Sequence, residues 1–174
     1  LSAEEFPALP ELENKKELSL SRNIFLNMIK KTEVSIGNDE TRPNLLGSFF
    51  QYRPSEESVL MVSTDGHRLS VTKNIIAALG SDAKTLEEGV IIPKKALRII
   101  SSLLESSDEE NLKIFISPKG MMFHLAKSVL YTRLIEGKYP DYTQVIPSES
   151  DNKLILNKDL FLQAVRRIVV LSSE

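Results

Sequence analysis

Asp65 and His67 are the two side chains whose types and spacing come closest to catalytic chemistry. A carboxylate beside an imidazole can orient it as a general base, so a hydrolase centred on this pair is one hypothesis. The two residues flank Gly66, however, and an Asp-Gly pair between two strand-forming runs is typical of a hairpin turn. Backbone conformation therefore accounts for these residue types without any catalytic role.

Other residues that support catalysis or metal binding are sparse. The chain has no Cys and 2 His, and His124 lies in an alternating strand pattern that is typical of a structural side chain. No Gly-rich loop precedes a helix, no nucleophile lies at the start of a helix, and no metal-ligand spacing occurs. We predict a protein that is not an enzyme and that needs neither a metal nor another cofactor.

A different chemistry is indicated by the cations of a predicted helix over residues 93–104. Lys94, Lys95 and Arg98 share the face opposite its apolar stripe, and no acidic residue occurs before Glu105. The helix dipole disfavours cations in the first turn, so these lysines indicate a functional surface. Such side chains bind DNA phosphates without reading base sequence. The alternative is an ordinary solvated helix face.

The elements that would position these residues are two helices and several strands. Ser21 is the predicted N-cap of a first helix over 22–32, and Pro93 begins the second. The predicted buried stripes are Ile24, Phe25, Met28, Ile29 and Thr32 in the first helix, and Ala96, Leu97, Ile100, Leu103 and Leu104 in the second. The predicted strands are Leu45–Tyr52, Ser58–Ser63, His67–Lys73, Gly89–Ile92, Leu112–Ser117, Met121–Ala126 and Ser128–Ile135. This pattern predicts an α+β fold in which two helices pack on antiparallel β-sheets.

Composition limits the function classes further. With 174 residues, of which 41% are hydrophobic, the chain can bury one good core. Its formal net charge of −2 excludes a generally basic DNA-coating protein, so any DNA contact would come from a local basic surface. No apolar run approaches the roughly 20 residues that span a bilayer.

An internal repeat predicts the domain organisation. Leu18–Val34 and Leu154–Val170 share their apolar spacing, a capping residue and a double basic pair, which predicts the same strand-then-helix arrangement in both. We therefore expect a tail of a preceding domain over 1–14, a complete domain over 15–142, and a linker with the start of a further domain over 143–174. That start would contain a strand near Lys153–Leu156 and a helix from Lys158 to Glu174. The chain is predicted to be a piece of a longer protein.

Two strings carry a resemblance to a known family. Residues Ser63–Ser70 read S-T-D-G-H-R-L-S, and residues Arg133–Tyr142 read R-L-I-E-G-K-Y-P-D-Y. Together, and in this order, they resemble the middle domain of the bacterial DNA polymerase III β subunit, the sliding-clamp family. The resemblance covers nearly all of the chain and implies a DNA-clamp-type domain.

The resemblance also implies two functional surfaces. The first is a hydrophobic cleft for clamp-binding peptides, whose positions in this sequence are Leu45, Thr64, Gly66, His67, Arg68, Leu69, Pro140, Gln144 and Val145. The second faces DNA, with Lys94 and Lys95 at family positions and with Arg98 and Lys30 added from the polar helix faces. Two departures occur: Gln144 stands where relatives often carry Arg, and Pro43-Asn44 replaces an aromatic pair found in some relatives.

The function implied by the resemblance is that of a processivity factor. The full-length parent would form a homodimeric ring around duplex DNA, in the cytoplasm, without sequence preference. It would tether DNA polymerase III subunits, the clamp loader and other proteins that carry a clamp-binding motif. The alternative hypothesis is a protein-interaction scaffold that uses the same cleft and never encircles DNA.

Overall fold

The computed structural model describes residues 16–76, 81–118, 120–125, 127–147 and 152–170. They fall into two compact units, which divide between Pro140 and Asp141. Within the described residues, no helix is both long enough and apolar enough to cross a membrane.

Among its described residues, the first unit contains two helices and eight strands. The strands are β1 (Lys16–Ser21), β2 (Gly47–Arg53), β3 (Ser58–Thr64), β4 (Leu69–Ile75), β5 (Val90–Pro93), β6 (Asn111–Ser117), β7 (Gly120–Leu125) and β8 (Ser128–Arg133), and the helices are α1 (Arg22–Thr32) and α2 (Lys94–Glu105). They form two antiparallel sheets with the strand orders β1-β6-β7-β8 and β4-β3-β2-β5. The predicted α+β class is confirmed.

The order of elements is the same in both halves of this unit, since each half runs strand, helix, three strands. The leading strand of each half pairs with the sheet of the other half: β1 pairs with β6, and β5 pairs with β2. A single bridge between Ile91 and Ile135 also links the two sheets, with the Ile135 N–H donating to the Ile91 carbonyl at 3.0 Å. The two halves are therefore interlocked.

Phe25 lies at the centre of the core. Its ring contacts Phe50 of one sheet edge to face, with centroids 5.5 Å apart, and Phe123 of the other sheet at 5.8 Å. All three side chains are fully buried. Buried residues alternate along β1, as in Leu18 and Leu20, because successive side chains of a strand point to opposite faces. One aromatic side chain of α1 thus packs against both sheets.

The predicted helix stripes agree with the observed burial. Phe25, Met28, Ile29 and Thr32 of α1 and Ala96, Leu97, Ile100 and Leu104 of α2 are buried. Ile24 and Leu103 pack against the core but remain half-buried. The 3.6-residue period therefore identified the inward face of each helix, and it left the predicted basic side chains on the outside.

Two details at the helix starts differ from the prediction. Ser21 occupies the N-cap position of α1, but its side chain makes no capping hydrogen bond. Instead the Arg22 N–H donates to the Glu110 carbonyl at 2.9 Å, so the residues before β6 satisfy this free helix amide. Pro93 is the last residue of β5 and the N-cap of α2, whose first helical residue is Lys94.

Several strand boundaries shift because turns replace predicted strand ends. Leu45 lies in a 3-10 turn, Pro43–Leu45, so β2 begins only at Gly47. His67 belongs to the hairpin loop, and β4 begins at Leu69. The strands predicted as Gly89–Ile92, Met121–Ala126 and Ser128–Ile135 are Val90–Pro93, Gly120–Leu125 and Ser128–Arg133, with Ala126 outside the described residues.

The second unit contains a 3-10 turn, Tyr142–Val145, and helix α3 (Lys158–Val169). The side chain of Asn157 caps α3 by accepting from the N–H groups of Asp159 at 3.0 Å and Leu160 at 3.1 Å. The helix predicted from Lys158 is confirmed at its start, but it ends at Val169, with Val170 as its C-cap, and does not run on to Glu174 as predicted; residues 171–174 lie outside the described residues.

The strand predicted near Lys153–Leu156 is wrong. Residues 152–157 form no strand, and their side chains are exposed, with Ile155 at 95%. A strand needs a neighbour to satisfy its backbone, as β6 does for β1, and the described residues of the second unit contain no strand. The predicted repeat therefore holds for the helix and fails for the strand.

Candidate functional site

The loop of the β3–β4 hairpin is organised by Asp65. The two strands pair as far as Thr64 and Leu69, which leaves a four-residue loop over 65–68. One carboxylate oxygen of Asp65 accepts from the backbone N–H groups of His67 at 2.9 Å and Arg68 at 3.0 Å, and the other accepts from Arg68 Nε at 2.9 Å. These bonds, chiefly the one from the His67 N–H, lower the pKa of Asp65. The Asp65 carboxylate thus holds the loop in its conformation, and the group of His67 that it bonds is the backbone N–H.

Thr64 closes the base of the same loop. Its hydroxyl donates to the Arg68 carbonyl at 2.8 Å and accepts from the Gly66 N–H at 3.1 Å. Gly66 has a φ of +92°, which side chains rarely adopt, and a Cβ there would lie 2.8 Å from Nη1 of Arg42. Glycine therefore allows the Arg42 guanidinium to lie against the hairpin backbone.

Tyr139 attaches the Gly-Lys-Tyr-Pro segment to this hairpin. Its hydroxyl accepts from the Thr64 N–H at 3.0 Å, and its ring stacks on Phe49 with centroids 5.1 Å apart. Burial raises the pKa of Tyr139 to about 12, against the opposing effect of the Thr64 N–H. Pro140, the next residue, is exposed.

The loop before β2 forms a third part of this region. Arg42 Nε donates to Asp39 at 2.9 Å, and hydrogen bonds from Thr41, followed by Arg42, lower the pKa of Asp39. Asn44 Nδ2 donates to the Lys138 carbonyl at 3.2 Å, which ties the loop to the segment that carries Tyr139. Leu45 ends the loop and is only 6% exposed, so it packs mostly inward.

We call the following residues the hairpin site: Leu45, Thr64, Gly66, His67, Arg68, Leu69 and Pro140. All belong to the first unit, and the hydrogen bonds of Asn44 and Tyr139 hold their segments together. Gly66, His67, Arg68 and Pro140 are exposed, whereas Thr64 and Leu69 are half-buried. The prediction missed Arg42, and it treated Tyr139 only as a break in the chain.

Gln144 and Val145 belong to the second unit, and their membership of the cleft stays a prediction. The Gln144 amide donates to Asp141 at 2.9 Å, and Val145 is 68% exposed. A cavity of about 420 Å³ lies between β5 and the segment after β8 and is lined in part by Phe49, Lys138 and Tyr139. None of the residues predicted for the cleft lines it.

We call Lys30, Lys94, Lys95 and Arg98 the basic helix surface; α1 and α2, which carry them, contact each other. Lys30 Nζ lies 2.6 Å from Glu105, and Arg98 Nε lies 2.6 Å from Glu33. Lys94 Nζ donates to the side-chain oxygen of Asn38 at 2.7 Å. Lys95 forms no hydrogen bond or ion pair with the part of the chain that the structure describes. The sequence pattern missed both carboxylate partners.

The remaining chemistry-bearing residues make structural contacts. The ring of His124 packs edge to face on Phe115 with centroids 4.7 Å apart, and its Nε2 lies 3.1 Å from the sulfur of Met122. Among the described residues, no group of three or more His, Asp or Glu side chains is close enough to hold a metal ion.

The comparisons with known proteins all identify the same family. Residues 19–141 match the family described as DNA polymerase III beta subunit, central domain. The beta sliding clamp of Bacillus subtilis (strain 168) is 32% identical over 174 residues, which are 100% of this chain and 44% of that protein. That of Halalkalibacterium halodurans is 33% identical over 175 residues, again with 100% and 44% covered.

Solved structures agree with the sequence matches. The Bacillus subtilis DNA polymerase sliding clamp has a TM-score of 0.86 at 32% identity, covering 100% of this chain and 44% of that one. Caulobacter crescentus pol III beta has a TM-score of 0.85 at 31% identity, covering 99% and 46%. The Bartonella birtlesii sliding clamp bound to griselimycin has a TM-score of 0.83 at 32% identity, covering 96% and 44%. The chain thus spans less than half the length of these relatives, and it belongs to the DNA polymerase III β subunit family.

Proposed function

We propose that the chain is the middle part of a DNA sliding clamp, a processivity factor without catalytic activity. The observation that carries this proposal is the family match over residues 19–141, together with full-length coverage of this chain by relatives named beta sliding clamp. In the full-length protein, two copies would close a ring around duplex DNA in the cytoplasm. A closed ring stays on DNA by topology, so only weak contacts to the duplex are needed.

The parts of the chain would then divide among three clamp domains. Residues 15–142 are proposed as the complete middle domain, residues 1–14 as the end of a preceding domain, and residues 143–174 as the linker and the start of the third. The coverage of 44–46% in the relatives supports this division, since one domain of three with flanking segments has about that share.

The hairpin site is proposed to bind the clamp-binding peptides of DNA polymerase III subunits, the clamp loader and other partners. Leu69 and Pro140 offer apolar surface, while exposed His67 and Arg68 offer polar contacts at the rim. Arg42, which lies against Gly66, would be a further cationic contact. The griselimycin complex of the Bartonella birtlesii clamp supports ligand binding in this family.

The basic helix surface is proposed to face the duplex. Its side chains carry positive charge on exposed helix faces, and they offer no arrangement that would read base edges. Neither Lys94 nor Lys95 is paired with a carboxylate among the described residues, so no neighbouring negative charge offsets theirs. Contact of this kind is sequence-independent and salt-dependent, which suits a protein that slides.

Retention on circular DNA tests the proposal. The full-length protein, loaded onto a nicked circle by its clamp loader, should co-elute with the DNA in gel filtration. Cutting the circle once should release it, because a ring can slide off a free end. A protein-interaction scaffold that never encircles DNA would show no difference between circle and line, and that result would contradict the clamp.

A further inference from the structure

Two of the four cations of the basic helix surface are held by carboxylates of the protein itself. Lys30 pairs with Glu105, and Arg98 pairs with Glu33, at 2.6 Å in each case. Three of these four side chains are more than half exposed, at 55% for Lys30, 51% for Glu105 and 62% for Arg98. The pairs therefore lie at the surface that is proposed to meet DNA.

The other two cations are different. Lys94 bonds the neutral amide of Asn38, and Lys95 has no partner within the described residues. In neither case does a neighbouring carboxylate of the described residues offset the positive charge of the lysine. The surface thus combines two cations whose charge is compensated with two whose charge is available to a phosphate.

Stability does not account for these carboxylates, because exposed ion pairs contribute little to folding. Their effect on a polyanion is larger. Each phosphate that a protein cation neutralises adds to the affinity and to its salt dependence. A cation already engaged by a carboxylate must exchange that partner for a phosphate, and the carboxylate repels the phosphate as it approaches.

We propose that Glu33 and Glu105 set the affinity of the basic helix surface, by keeping Arg98 and Lys30 engaged within the protein. Duplex DNA is then held more weakly than four free cations would hold it, which favours sliding over static binding. This inference rests on the proposed function, and it concerns the strength of the contact.

Charge-neutral substitutions in the full-length protein test it. Glu33→Gln and Glu105→Gln each remove one carboxylate with little change in shape. Glu17→Gln is the matched control, because Glu17 is similarly exposed at 53% and pairs with Lys113. It alternates on β1 with Leu18, whose side chain is buried in the core, so the Glu17 side chain points to the opposite face of the strand. Melting temperatures close to that of the unchanged protein would verify that all three variants fold.

The readout is the anisotropy of a fluorescent duplex titrated with each variant over a series of KCl concentrations. Each helix variant should bind about threefold more tightly near 0.1 M salt, and its log–log salt slope should steepen by up to about 0.9. Glu17→Gln should change neither quantity as much. Affinities equal to the control, or weaker than in the unchanged protein, would overturn the inference while leaving DNA binding itself intact. The unchanged protein could instead show no salt-dependent binding, and Lys94→Ala could have no effect. That result would overturn the proposed function and the inference with it.

Discussion

The hairpin site and the basic helix surface are built in opposite ways. In the hairpin, the side chains of Asp65, Thr64 and Tyr139 bond backbone groups, so their polar atoms have fixed partners in the backbone. On the helices, long exposed side chains such as Lys30 and Arg98 pair with carboxylates of another element. The first arrangement fixes shape, whereas the second distributes charge.

This difference predicts how each region responds to substitution. A recognition site whose shape depends on individual bonds should lose function when one residue changes. A charged surface that contacts equivalent phosphates should lose function gradually, because one cation can substitute for another. The two regions should therefore differ in the size of the effect that a single substitution causes.

The largest effect should come from the core that supports both regions. Phe25→Ala removes the side chain that contacts Phe50 and Phe123, and we expect it to lower the free energy of unfolding by about 3–5 kcal/mol. Urea denaturation followed by circular dichroism measures this. Phe115→Ala is the control, because Phe115 is half-buried and should cost less. Equal losses would show that Phe25 does not join the two sheets.

The hairpin site should respond strongly to single substitutions. Leu69→Ala or His67→Ala in the full-length protein should weaken binding of a labelled clamp-binding peptide at least about tenfold, which corresponds to about 1.4 kcal/mol. Neither should unfold the protein, since His67 is exposed and Leu69 is half-buried. Ile75→Ala, at the far end of β4 and 77% exposed, is the control for the same strand. If all three variants bind equally, the groove lies elsewhere.

Tyr139→Phe tests the bond that anchors the hairpin. Loss of the acceptor for the Thr64 N–H should lower the free energy of unfolding by about 0.5–1.5 kcal/mol at neutral pH. The folded-state pKa is raised to about 12, so the neutral phenol is favoured in the folded protein. The contribution of Tyr139 is then fully present below about pH 10, the unfolded value, and is lost as the pH rises through about 12.

Denaturation of both proteins at several pH values between 8 and about 12 provides the measurement for Tyr139. The stability advantage over Tyr139→Phe should shrink across this interval, because the variant has no phenol to ionise. An advantage that stays constant, or grows with pH, would contradict a buried and neutral Tyr139.

The basic helix surface should give the smallest single effects. Lys95→Ala in the full-length protein should weaken duplex binding only about threefold, whereas the combined replacement of Lys94, Lys95 and Arg98 by Ala should flatten the salt slope by up to about 2 to 3. Lys113→Ala is the control, because Lys113 is an exposed cation of β6. An unchanged slope in the triple variant would contradict a DNA-facing role.

Local patterns made much of the fold predictable. The 3.6-residue period located the buried stripes of both helices, and the Asp65-Gly66 pair located the hairpin, because both signals act between residues close in sequence. The exact loop was less predictable. The predicted tight turn is a four-residue loop, since the bonds of Asp65 to His67 and Arg68 extend it.

The partners of the site residues could not be predicted, because they are remote in sequence. Arg42 reaches Gly66, and Glu33 reaches Arg98, only after the sheets and helices have packed. The failed strand at Lys153–Leu156 has the same origin, since its residues favour extension but a strand forms only by pairing. The side-chain types of the site could be read from the sequence, but the distant residues that contact them could not.

The exchange of leading strands between the two halves has a consequence for how the chain is made. β1 is synthesised before the rest of the first unit, yet six of the described helices and strands separate it from its partner β6. Contacts between segments so distant in sequence form slowly, because the intervening chain must first be closed into a loop. During translation the unpaired edge of β1, with Leu18 and Leu20, is therefore open to chaperones and to aggregation until the second half leaves the ribosome.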